Sequence, residues 1–373
     1  MRRLLFWLTV IGLIWYVFTK PEYKPVLNEI KSDIQTFIED TDFSAVAESL
    51  NIGINQLAIQ LEQLIDDIPE KQGQLSSEKS EKPDLKAPIK QTFSVYNIEI
   101  GDPRSKVEQQ LGPPQRTSMN EYGIEWHAYH KNYQNFMMIA YNRNDNVTGL
   151  YTNQDLIASA KGLKLGSPRQ TVLDQLGEPL SKIRKGLVYY QFEKQRDYDL
   201  FQQNDSYITV FYDKHQKNTV TSIQIVSEDL EQQKREFYTP ANNAIKQGFE
   251  YQLFDLTNAS RVQHGLPILI WNEHVKETAW NHSSDMANNN FFSHTNLEGQ
   301  SPFDRMKADD IIFSVAGENL AYGQFSSIFA HEGLMNSLGH RENILNMDFE
   351  FLGVGVAFNS ESHPYYTENF FSN

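Results

Sequence analysis

No cysteine occurs among the 373 residues. Its absence excludes disulfides, thiolate-zinc sites, iron–sulfur clusters, a cysteine nucleophile and a lipid anchor on cysteine. If the chain is exported, packing alone must stabilise it. Positive charge is also scarce: 33 Lys and Arg stand against 48 Asp and Glu, for a net charge of -15 and a pI near 5.1. Binding nucleic acid by phosphate neutralisation needs clustered Lys and Arg, so no nucleic-acid partner is expected. No motif for nucleotides, flavin or haem is present. Aromatics are plentiful, with 23 Phe, 18 Tyr and 5 Trp, which supplies packed cores and excludes global disorder. The length predicts two or three domains.

The long uncharged apolar run from Leu4 to Phe18 follows Arg2 and Arg3 and precedes Lys20. Val17, Phe18, Thr19 and Lys20 offer no small-x-small cleavage site, so residues 1–20 predict an uncleaved single-pass membrane anchor. The positive-inside rule leaves Arg2 and Arg3 cytoplasmic and the later domains extracytoplasmic. The run is shorter than the ~20 residues that span a bilayer comfortably, a shortfall that thinning and snorkelling cations can meet. A buried core helix suits it less well, because Trp7, Trp15 and Tyr16 fit membrane interfaces. Residues 21–68 show helical spacing at Val26, Ile30, Ile34 and Phe37, then at Val46, Leu50, Ile54, Leu57, Leu61 and Leu64. Asp40, Thr41 and Asp42 divide them into two amphipathic helices, a spacer or a dimerising coiled coil. Residues 69–92 are polar and carry Pro69, Pro83 and Pro88, the pattern of a disordered linker.

An internal repeat follows. Gly101-Asp-Pro-Arg104 leads through Val107 and Leu111 to Gly112 and Pro114, and Gly166-Ser-Pro-Arg169 leads through Val172 and Leu176 to Gly177 and Pro179. Each copy predicts a short helix with Asp102 or Ser167 as N-cap, proline at the first helical position and glycine at the end. Strand-like runs follow at Phe136–Tyr141, Val188–Phe192, Tyr207–Tyr212 and Val220–Val226. Residues 93–236 therefore predict a duplicated domain, two small α+β units spanning about 93–157 and 158–236 and packed together. Arg104 and Arg169 suit a surface or helix-dipole role, with a partner carboxylate or phosphate as the alternative. No catalytic constellation appears in this region.

In residues 243–373, Ile245, Phe249, Leu253, Leu256, Ala259 and Val262 mark a helix stopped by Gly265-Leu-Pro267, and Val275, Ala279, Ser283 and Met286 mark a second. Leu352, Val354, Val356 and Phe358 alternate with Gly353, Gly355 and Ala357, and Tyr365–Phe371 can return as the partner strand. Helices covering a small antiparallel sheet give an α+β class. Seven of the ten histidines lie here. His294 and His340 with Glu318 can form a divalent-metal site or an acid/base pair, against the alternative of buried structural histidines.

Residues 247–373 resemble the bacterial CAP superfamily, which groups cysteine-rich secretory proteins, antigen 5 and pathogenesis-related 1. The matching blocks include Asn258-x-x-Arg261, Phe292-Ser-His-Thr-Asn296, Ser301-Pro-Phe-Asp-Arg305, Gly317-Glu-Asn319, Gly339-His-Arg341 and Gly353-Val-Gly355. The resemblance implies an α-β-α sandwich with a cleft in which His294, Glu318 and His340 face each other and hold a divalent cation such as zinc. Residues 93–236 are similar to the accessory domain found upstream of bacterial CAP domains, and more distantly to small outer-membrane-lipoprotein modules.

The chain departs from the family pattern in two places. Leu334 stands where a Trp is usual, and Ser337 where many eukaryotic relatives carry a fourth cleft residue, a Glu, for which nearby Glu332 is a doubtful substitute. With three of four cleft residues, weak and exchangeable metal binding is expected. The family resemblance leaves two readings open. One is an extracytoplasmic binding or regulatory module for a lipid, peptide, wall glycan or envelope protein. The other is a hydrolase in which His294 or His340 is the base, Glu318 orients it, and Ser293, Ser337 or a metal-bound water attacks. The absent cysteines suit a bacterial, Gram-positive version of the family.

Overall fold

In the computed structural model, residues 81–193 and 196–373 are described. The expected anchor, the helical spacer and the first part of the linker lie outside the described residues. Among the described residues no helix is long and apolar enough to cross a membrane.

The N-terminal region begins with β1 (Phe93–Val95), α1 (Arg104–Leu111), β2 (Arg116–Met119), β3 (Glu125–Lys131), β4 (Gln134–Tyr141), β5 (Val147–Thr152) and β6 (Ile157–Ser159). It continues with α2 (Arg169–Leu176), β7 (Lys182–Lys185), β8 (Val188–Gln191), β9 (Tyr198–Gln203), β10 (Ser206–Asp213), β11 (Thr219–Ser227) and α3 (Glu228–Gln233). The expected two packed units instead share one seven-stranded sheet in the order β2-β3-β4-β5-β11-β10-β9. The join is the antiparallel pairing of β5 with β11, where Leu150 lies opposite Ile225. β8 stays out of this sheet and pairs with β7 in a separate hairpin.

The two Gly-x-Pro-Arg segments make matching contacts. Gly101 and Gly166 donate to the carbonyls of Val147 and Val220, both at 2.8 Å, and Arg104 and Arg169 donate backbone N–H groups to Asp145 and Asn218. The expected capping is corrected. The helices start at Arg104 and Arg169, with Pro103 and Pro168 in the cap position and no side-chain cap bond. The Asp102 and Ser167 side chains turn back to accept from Glu99 and Lys164 N–H. Arg104 pairs with Glu108 and lies over Tyr141, while Arg169 makes a bidentate pair with Asp199 and lies over Tyr212. Both arginines are therefore partnered within the domain rather than serving a helix dipole. Residues 81–92, expected as the end of a free linker, are fastened. Glu99 accepts from the backbone of Ile89, Lys90 and Gln91, and Asn97 from that of Lys86.

The C-terminal region comprises α4 (Asn243–Gln263), β12 (Ile270–Trp271), α5 (Glu273–Asn289), α6 (Pro302–Ala308), β13 (Val315–Tyr322), α7 (Ser327–Met335), α8 (Leu338–Ile344), β14 (Phe351–Phe358) and β15 (Pro364–Ser372). Its sheet runs β12-β14-β15-β13, antiparallel apart from the short parallel β12–β14 pair. The glycines of β14 show how close α5 lies: a Cβ on Gly353 would come within 2.3 Å of Lys276 N, and one on Gly355 within 2.0 Å of Trp280 N. The alternate residues Val354 and Val356 enter the core that contains Phe249 and Leu253 of α4.

Alternation along β4 explains how the two regions join. Met137, Ile139 and Tyr141 enter the core with Val107 of α1 and Val172 of α2, while Phe136, Met138 and Ala140 enter the core shared with α4 and α7. The apolar run at 136–141 is thus a strand buried on both faces. Helix α4 is held between two sheets. At its closest approach a Cβ on Gly248 would stand 1.9 Å from the Met119 carbonyl oxygen.

Candidate functional site

The Gly317-Glu-Asn319 segment of β13 divides its duties by strand alternation. Gly317 leaves room for Phe349, whose Cζ would lie 2.8 Å from an added Cβ. Glu318 points to one face, and Asn319 to the other, where it donates to the His340 carbonyl and to Glu368 Oε2. Asn343 of α8 donates to the Glu318 carbonyl and to Asn319 Oδ1. The backbone of α8, and with it His340, is thereby tied to the strand that carries Glu318.

Both oxygens of the Glu318 carboxylate are engaged. His294 Nδ1 lies 2.8 Å from Oε1, and Arg305 Nη2 donates to Oε2 at 2.5 Å. Arg305 also donates from Nη1 to the carbonyls of His294 and Gln300. It reaches inward because α6 is locked by a capping box, in which Ser301 Oγ accepts from Asp304 N and the Asp304 carboxylate accepts from Ser301 N, with Pro302 in the first turn. The side chain of Glu318 is 2% exposed and that of His294 is 52% exposed. The arrangement is a buried ion pair with one accessible imidazole leaning on it.

His340 makes its contact elsewhere: its Nδ1 lies 2.8 Å from Ser337 Oγ. Burial, and to a lesser degree the proximity of His294, lower its pKa. His282 donates from Nε2 to the Ser293 carbonyl, and burial likewise lowers its pKa. Ser293 Oγ accepts from Thr295 N–H. The expected residues thus form two pairs rather than one triad. Glu318 orients His294, and Ser337 bonds to the other histidine. Among the described residues no group of three or more His, Asp or Glu is gathered to hold a metal ion. Arg305 occupies Oε2 of the Glu318 carboxylate and His294 faces Oε1. Glu318 instead has the position of an outer carboxylate that fixes a histidine by its Nδ1.

Glu332, the substitute considered for the fourth cleft residue, makes its contacts outside this cluster. It is buried against the N-terminal sheet, where Tyr151 Oη and Ser222 Oγ both donate to its Oε1 at 2.8 and 2.6 Å. Burial pushes its carboxyl up to about 7, and the Ser222 and Tyr151 hydroxyls and the charge of Arg341 offset only part of that rise. Nearby Arg341 pairs with Asp213 at 3.0 Å, and Asn336 binds the backbone of Tyr212 and Lys214. Leu334, the replacement for the usual Trp, is buried in the shared core. Sequence reasoning gave Arg305 no role, although the Ser-Pro-Phe-Asp-Arg spacing already carries the cap that aims it.

Residues 100–237 match the CAP-associated N-terminal family, and residues 254–370 match the Cysteine-rich secretory protein family, CAP. The chain is 30% identical over 290 residues to the "Uncharacterized membrane protein YlbC" of Bacillus subtilis (strain 168), across 73% of this chain and 82% of that protein. It is 40% identical over 122 residues to the "Uncharacterized protein YkwD" of the same organism, across 33% of this chain and 46% of that protein. A solved extracellular protein containing an SCP domain from Bacillus anthracis has a TM-score of 0.64 at 26% identity, with 80% of this chain and 99% of that chain covered. A cysteine-rich secretory protein from Staphylococcus aureus shares the fold, with a TM-score of 0.60 at 16% identity across 77% of this chain and 95% of that one. The chain belongs to the cysteine-rich secretory protein, or CAP, family and carries that family's CAP-associated N-terminal domain ahead of the CAP domain.

Proposed function

We propose that the chain is a membrane-anchored, extracytoplasmic binding or regulatory module of the cell envelope, with its ligand seated at the His294–Glu318–Arg305 cluster. The observation that carries this reading is the commitment of Glu318 to Arg305 and His294, while Ser337 contacts a different histidine. A serine hydrolase needs nucleophile, base and carboxylate in one chain of contacts. Beside the cluster, the half-exposed rings of Phe292 and Tyr322 lie 5.9 Å apart, with Tyr322 on the Glu318 face of β13. A polar floor and an aromatic shelf suit a ligand with hydrogen-bonding and apolar parts, such as a wall glycan, a lipid or a peptide, including a segment of an envelope protein. The name of the Bacillus subtilis relative and the basic-flanked apolar run at 4–18 support the membrane location.

Retention of the purified chain on isolated Gram-positive envelopes tests this reading. It is expected to fall at least about tenfold in a His294→Ala, Tyr322→Asp variant, because an anchored contact at a polar and aromatic pair contributes a few kcal/mol. Unchanged retention overturns the site. Fractionation tests the anchor, which is lost if the native protein is found soluble and shortened at its N-terminus.

A divalent cation such as zinc would be held by the Nε2 atoms of His294 and His340, with Glu318 behind His294. Calorimetry with zinc is then expected to show weak binding that disappears in His294→Ala. In Glu318→Gln it should weaken by about 10- to 100-fold, the usual cost of losing an outer carboxylate.

A further inference from the structure

The β7–β8 hairpin lies outside the seven-stranded sheet and presents an unusual surface for so acidic a chain. Between Lys182 and Gln191 there are three cations, Lys182, Arg184 and Lys185, and no carboxylate, whereas the whole chain carries -15. The inner side of the hairpin is fastened to the domain. Ile183 is buried with Leu200 and Tyr207, Lys185 pairs with Glu231, and Tyr190 stacks on Phe237. The outer side is free of such packing. Arg184 stands opposite Tyr189, and Lys182 Nζ lies 4.5 Å from the centre of the Tyr189 ring. At the tip, Gly186 takes φ 59 and lets the chain turn, so that Leu187 is 92% exposed, followed by Val188 at 53% and Tyr189 at 55%.

Three consecutive exposed apolar residues are disfavoured on a surface that meets only water. Cations and a tyrosine ring at headgroup height, with an aliphatic tip beyond them, are the composition of a bilayer-interface contact. Charge selects the lipid. The hairpin is attracted to an anionic leaflet that repels the acidic remainder of the molecule. We propose that the β7–β8 hairpin docks on the surface of an anionic phospholipid bilayer and inserts Leu187, giving the CAP-associated domain its own contact with the membrane. This inference rests on the envelope location proposed above.

The absence of cysteine makes the test direct, because a Leu187→Cys substitution gives a single labelling site in the full chain. The full chain with an environment-sensitive fluorophore at that site is mixed with phosphatidylglycerol/phosphatidylcholine vesicles carrying nitroxide-labelled lipid, and with pure phosphatidylcholine vesicles. A label at Leu297→Cys, exposed in the other domain, is the control. Quenching is expected at position 187 and not at 297 on the anionic vesicles. It should fall to the control level on neutral vesicles and in a Lys182→Glu, Arg184→Glu background. Flotation with neutral vesicles reads the anchor separately. Flotation without quenching at 187 on anionic vesicles overturns the hairpin contact and leaves the anchor standing. Quenching without flotation on neutral vesicles supports the hairpin and overturns the anchor, and absence of both overturns both. Quenching that survives the double charge reversal contradicts the anionic-lipid assignment.

Discussion

Two buried glutamates of the CAP domain, Glu318 and Glu332, sit in opposite circumstances. Glu318 meets a guanidinium and an accessible imidazole at the edge of the domain, whereas Glu332 meets two hydroxyls in the seam under the N-terminal sheet. The first arrangement holds a charged group beside solvent, where a ligand can reach the histidine. The second hides its carboxyl from ligand altogether and joins two domains. Burial is thus shared by both, and the partner decides whether a carboxylate belongs to a site or to a seam.

The largest effect is expected from removing the partner that defines the site. Arg305→Met leaves Glu318 buried beside His294 without its cation, and unfolding by urea is expected to show a loss of about 4 kcal/mol. A loss under about 1 kcal/mol would mean that the guanidinium does not hold the carboxylate. On the seam side, Gly248→Ala forces a methyl group against the Met119 backbone. Calorimetric melting is expected to show a loss of about 3 kcal/mol, because neither backbone can yield without parting the domains.

The smaller effect is the pH dependence that Glu332 contributes at the seam. The folded carboxyl of Glu332 sits at about 7, above its ordinary 4.5, so the folded state binds the proton more tightly than the unfolded one. This contribution to stability is fully present below pH 4.5 and is lost as pH rises from there through 7. Glu332→Gln should remove it, leaving the variant more stable than the parent at pH 8 by on the order of 2 kcal/mol relative to their difference at pH 4.5. Parallel stability curves for the two proteins between those pH values would contradict the assignment. Glu368, buried against Thr257 and Asn319 and also at about 7, supplies a similar slope that remains in both proteins.

The sequence made the CAP helices, the β14–β15 pair and the neighbourhood of His294 and Glu318 legible, because periodicity and ordered blocks are local signals. The pairing of β5 with β11 was hidden, since nothing in either strand names its partner across the repeat. Glu332 was drawn toward the cleft by its closeness in sequence to Ser337, yet α7 turns it toward Tyr151 and Ser222 of the N-terminal sheet. Arg305 was hidden for a related reason. A single inward arginine on a seven-residue helix leaves no periodic trace, and its direction is legible only through the Ser301–Asp304 cap.

The central claim is that the cleft of this CAP domain binds without cutting. Purified chain incubated with isolated cell walls and with fluorescent casein, beside a His294→Ala, His340→Ala variant, tests it most directly. Soluble wall fragments and released fluorescence are expected to stay at the level of the double variant for both substrates. Products released by the parent and abolished in the double variant would contradict the claim and make the cleft catalytic.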